Sequence, residues 1–106
     1  MAHERAIKRD LSEEEGYTQF EAVVHGYVQG VNFRHYTRQH ALQLGLSGYV
    51  ENKPDGTVYV LAQGERNDLL ALLAWLGNGP RAAEVSDVDA RWGMGSVRYS
   101  GFEVHH

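Results

Sequence analysis

The chain has 106 residues, 42% of them apolar and 23% charged, which describes one soluble domain with a real core and little room for a second. A formal net charge of −4 and the lack of any basic cluster argue against a nucleic-acid binder. The absence of cysteine excludes disulfides, thiolate metal sites and thiol nucleophiles.

Residues 1–17 mix Arg5, Lys8 and Arg9 with Glu4, Asp10, Glu13, Glu14 and Glu15, and carry little apolar content. They read as a flexible or partly helical leader to a domain spanning 18–106. They lack the apolar stretch of a secretory signal, and no run in the chain approaches membrane-spanning length. The expected location is the cytoplasm, with no membrane partner.

From Thr18 the pattern changes. Phe20, Ala22 and Val24 alternate with Glu21, Val23 and His25, the period of a strand with one buried face. His25-Gly26-Tyr27-Val28-Gln29-Gly30-Val31-Asn32-Phe33-Arg34 follows, and the rest of the domain is organised around it. Its two glycines let the backbone turn tightly and converge several N–H groups. Phe33, Tyr36, Thr37, His40, Ala41 and Leu44 then recur at helical spacing, with Asn32 at the N-cap position and Gly45 at the stop. A helix start adds unpaired N–H groups and the positive end of a dipole. Such a loop suits an anion of phosphate type, and Arg34 can close over it. A tight turn whose glycines serve packing alone is the competing reading of these residues. Arg38, one turn later, reads as a solvated helix arginine.

Leu46 to Asn52 and Gly56 to Gln63 read as two strands joined by Lys53-Pro54-Asp55-Gly56, where Pro54 presets φ and Gly56 accepts a positive one. Asn52 ends the first of them. It either bonds the local turn backbone or holds a water beside the anion, where a carboxylate would repel the substrate. Glu65 to Leu76 supplies a second helix with Leu69, Leu72, Leu73 and Leu76 inward, stopped by Gly77-Asn78-Gly79-Pro80. Ala83 to Trp92 is a fourth strand, and the three-residue step from Val85 to Val88 predicts a bulge. Arg98 to Val104 closes the chain with a short strand. The order β-α-β-β-α-β plus a short extra strand gives an α+β, ferredoxin-like sandwich: an antiparallel sheet with both helices on one face.

Other chemistries find little support. The loop matches neither Walker A nor Gly-x-Gly-x-x-Gly, and no Gly-x-Ser-x-Gly elbow is present. His35 and His40 are five apart and so do not share a helical face, and Asp87 and Asp89 read as a solvated strand face. No metal site and no cofactor are expected.

Gly26-Tyr27-Val28-Gln29-Gly30-Val31-Asn32-Phe33-Arg34 resembles the acylphosphatase signature, Gly-x-Val-Gln-Gly-Val-x-Phe-Arg. Gly48-Tyr49-Val50-Glu51-Asn52-Lys53-Pro54-Asp55-Gly56 is similar to the second motif of that family, and the likeness spans roughly residues 18–104. It implies a ferredoxin-like fold and a metal-independent enzyme that hydrolyses acyl phosphates to carboxylate and phosphate. It also implies that Arg34 binds the phosphoryl group with the backbone N–H groups of Tyr27, Val28, Gln29, Gly30, Val31 and Asn32. Asn52 would orient the attacking water. The implied partner is a small-molecule acyl phosphate, with phosphate or sulfate as product or mimic, and the small size and lack of an obvious extra apolar face favour a monomer. Asn32 departs from the family, which more often places an aromatic or less polar residue there; it either caps the helix or reaches the site. A ferredoxin-like domain that holds an anion without turnover is the alternative from another class.

Overall fold

The computed structural model describes residues 17–106. Sixteen of the seventeen residues assigned to the leader lie outside that range. Tyr17 lies inside it and opens β1 (Tyr17–Tyr27). The chain continues through α1 (Phe33–Gln43), β2 (Ser47–Asn52), β3 (Val58–Gln63), α2 (Arg66–Leu76), β4 (Glu84–Gly95) and β5 (Phe102–His105). The strands form one sheet in the order β4-β1-β3-β2-β5.

Period-two alternation decides which face is buried. Phe20, Ala22 and Val24 of β1 lie opposite Ala62, Val60 and Val58 of β3, and all six are fully buried. Phe33 and Ala41 of α1, and Leu69, Leu72 and Leu76 of α2, close over that face. Leu73, expected inward, is only half-buried and packs at the edge of the cluster. Burying each Leu or Phe side chain contributes about 2 kcal/mol, so this layer dominates the favourable side of folding. The first helix packs against β2 and β5, the second against β1, and the two touch each other, so both lie on one face.

Three differences from the sequence reading carry physical content. The final strand begins at Phe102 rather than Arg98 and pairs parallel to β2, so the sheet is mixed and not wholly antiparallel. β4 runs on to Gly95, because its pairing with β1 extends as far as Tyr17. The expected bulge is present: His25 lies opposite Asp87 and Gly26 opposite Val85, which leaves Ser86 as the extra residue. The bend falls where β1 hands over to the glycine loop. There Gly26 has φ 125°, and a Cβ would stand 2.1 Å from the Glu84 carbonyl oxygen. No other residue fits such an approach.

Candidate active site

The strand continues through Tyr27, which lies opposite Glu84 and is exposed, so the loop proper is Val28 to Asn32. Val28 is buried as an anchor. Gly30 has φ 79° with open space around its Cβ position, so conformation rather than crowding requires glycine. Asn32 stands at the N-cap in the left-handed region, φ 63° and ψ 26°. It is the one non-glycine residue with positive φ among the described residues. Its side chain makes no capping hydrogen bond, so of the two roles left open for Asn32 the cap is not taken. Among the described residues, no N–H of residues 29–32 donates to a backbone carbonyl in a turn or loop. The loop therefore offers a row of free donors at the positive end of α1.

A cleft of about 540 Å³ opens against this loop. Val28, Gly30 and Asn32 form one wall, and Arg34, Arg38 and Asn52 enter from α1 and β2. His35 and His106 also reach it. Among the described residues no Asp or Glu lines the cleft, in a chain whose net charge is −4. An anion entering there meets the Arg34 and Arg38 cations and the Asn32 and Asn52 amides.

Arg34 sits in the first turn of α1, where a cation is opposed by the helix dipole by about 0.3–1 kcal/mol. Its Nη1 donates to the His105 carbonyl at 2.9 Å, and such a charge-assisted bond outweighs that penalty. Arg38 behaves in the same way, with Nε donating to the Phe102 carbonyl at 3.0 Å. It is exposed but tethered to β5 at the cleft, a correction to the solvated arginine expected from sequence. The shared cause is β5: its parallel docking beside β2 turns two carbonyls toward α1.

Asn52 is two residues after the fully buried Val50, so strand alternation sends its side chain to the helix-bearing face. Its Oδ1 is the one buried side-chain polar atom without a hydrogen-bond partner among the described residues. Such an atom costs about 1–3 kcal/mol unless a donor reaches it from the cleft.

The side chain of Gln29 ties these parts together. Its Nε2 donates to the carbonyls of Lys53 and Thr57, each at 2.8 Å, and so staples the loop to the hairpin that follows Asn52. The sequence reading used only the backbone of Gln29; a long amide side chain among Gly and Val was the signal available. The hairpin turns as expected, with the Gly56 N–H donating to the Lys53 carbonyl at 3.1 Å. Asp55 Oδ1 accepts from the Thr57 hydroxyl at 2.6 Å and from its N–H at 3.0 Å. The hydroxyl bond, then the N–H bond, hold the Asp55 carboxyl below its ordinary range. Among the described residues, no three His, Cys, Asp or Glu side chains gather as a metal site, and no helix is long and apolar enough to cross a membrane.

The sequence and fold match known proteins. The acylphosphatase family model matches residues 20–104. The acylphosphatase of Dehalococcoides mccartyi (strain CBDB1) is 45% identical over 86 residues, covering 80% of this chain and 94% of that one. A solved acylphosphatase from Bacillus subtilis superposes with a TM-score of 0.81 at 30% identity, covering 84% of this chain and 99% of that chain. One from Coxiella burnetii gives 0.80 at 39% identity, covering 87% and 96%. The glycine loop and the tethered arginine are thus set in a matching fold, and the chain belongs to the acylphosphatase family, enzymes that hydrolyse acyl phosphates.

Proposed function

We propose that the enzyme cleaves the carboxyl–phosphate bond by direct attack of a water held by Asn52 on a phosphoryl group held by Arg34 and the loop amides of Val28 to Asn32. The orphaned Oδ1 of Asn52 carries this assignment. Asn52 lines the cleft, and a water lodged beside it would donate one O–H to Oδ1, leaving a lone pair of that water free to attack phosphorus. An amide does not take a proton near neutral pH, so Asn52 orients the water and is not its base.

The water oxygen bonds to phosphorus as the bond from phosphorus to the acyl oxygen breaks. The carboxylate departs with that electron pair, and the water's protons end on the phosphoryl oxygens. An acyl phosphate dianion and water therefore give a carboxylate and dihydrogen phosphate. A carboxylate leaves readily, so no strong general acid is required. Most of the catalysis is positioning plus stabilisation of charge on the peripheral oxygens. Free amides and the Arg34 guanidinium can supply it, preorganised by the bonds from Arg34 to His105 and from Gln29 to the hairpin. The same donors suit inorganic phosphate or sulfate. Their charge does the work a metal ion would do, so turnover is expected without one. A cysteine-free chain is in keeping with a cytoplasmic setting. The exposed large apolar residues are scattered over several elements, in keeping with a monomer.

Hydrolysis of benzoyl phosphate in ¹⁸O-water with EDTA present tests the route. Label found only in phosphate, at an undiminished rate, is the expected result. Label in benzoate, or a rate abolished by EDTA, contradicts it.

A further inference from the structure

A second groove, of about 380 Å³, shares Asn32 with the cleft. Val31, Asn32, Tyr36, His40, Trp75 and Arg81 form most of its lining. Asn32 lines both spaces, so the end of the loop is their common wall, while Arg34 and Asn52 line only the first. The His40 and Trp75 rings stack with centroids 4.3 Å apart. Tyr36 is 39% exposed, and its N–H donates to the Asn32 carbonyl at 3.1 Å, fixing it one turn from the loop end. Among the described residues no Asp or Glu lines the groove, and Arg81 does.

Displacement at phosphorus keeps the entering and leaving oxygens roughly in line, on opposite sides. A water at Asn52 enters from the first cleft, so the acyl group departs on the side away from Asn52. We infer that the second groove is the acyl subsite and that it takes a flat, apolar acyl group of about ring size. Tyr36 and Trp75 offer that group aromatic faces, and Arg81 offers the departing carboxylate a cation. The groove thus sets substrate preference, favouring aromatic acyl phosphates over small ones. The inference rests on the water being held at Asn52.

The test compares kcat/KM for benzoyl phosphate and acetyl phosphate on the full chain and on Tyr36→Ala and Tyr36→Phe. Competitive inhibition by inorganic phosphate is measured in parallel. Tyr36→Ala is expected to lower the benzoyl-to-acetyl ratio about tenfold, the scale for losing one apolar contact region. Tyr36→Phe, which keeps the ring, should hold the parent ratio. An unmoved ratio in Tyr36→Ala, whether or not both rates fall, overturns the acyl subsite. Failure of phosphate to inhibit the parent chain would instead contradict the phosphoryl cradle, so the two failures are told apart.

Discussion

Gln29 Nε2 lies 2.8 Å from the carbonyl oxygen of Thr57, an oxygen that also accepts the Lys53 N–H at 2.9 Å. One acceptor thus closes the β2–β3 hairpin and fastens it to the loop that runs from Val28 to Asn32. Because Asn52 immediately precedes that hairpin, the two halves of the site are held in register by one amide side chain. Gln29→Ala removes both of its hydrogen bonds and should cost about 1–3 kcal/mol of stability. Its kcat should fall about tenfold as Asn52 loses its placement. Denaturant unfolding and steady-state kinetics check the two effects, and a variant that loses stability with full kcat would show that the tie serves only the fold.

Arg34→Ala should lose about 3 kcal/mol of transition-state stabilisation, near a hundredfold in kcat/KM. Inhibition by inorganic phosphate should weaken with it. Arg34→Lys should recover little, because an ammonium cannot hold the His105 carbonyl and present a planar fork at once. Lysine at that position with near-parent turnover would show that charge alone suffices.

Arg38 contributes charge to the cleft from one turn further away. Arg38→Ala should lower kcat/KM about threefold to tenfold, and less as ionic strength rises, since the effect acts through solvent-screened charge. Kinetics between low salt and about 0.5 M salt measure this. A loss independent of salt would assign Arg38 to direct contact with substrate.

Asp55 gives the hairpin an acid-sensitive clasp. Its carboxyl is held below the ordinary range by the Thr57 hydroxyl and N–H, so the folded state binds that proton more weakly than the unfolded chain. A depressed carboxylate stabilises above its unfolded pKa of about 3.9 and loses that contribution as pH falls through the folded value. Asp55→Ala should therefore melt below the parent at pH 7, with the gap narrowing below about pH 4. Thermal unfolding across that range checks the sign.

Local pattern made most of the fold legible. Spacing from Phe33 onward marked α1 to within a residue of its observed end at Gln43, and Pro54 and Gly56 marked the hairpin. The Val85-to-Val88 step marked the bulge at Ser86. What stayed hidden depends on nonlocal pairing. A four-residue strand such as β5 does not announce its partner, so neither its parallel docking nor the anchoring of Arg34 and Arg38 on its carbonyls could be read in advance. Asn32 carried a cap residue's chemistry, yet the loop turns it into the left-handed region, and its side chain makes no capping bond.

Asn52→Ala tests the water assignment most directly, with kcat and phosphate inhibition measured on the same preparation. Among the described residues the buried Oδ1 has no hydrogen-bond partner, so removing it breaks no bond of the fold and the variant should unfold at or above the parent temperature. Turnover should fall about a hundredfold or more while the inhibition constant for inorganic phosphate stays near the parent value. Parent-level turnover, or turnover and phosphate affinity lost together, would contradict a water held by Asn52.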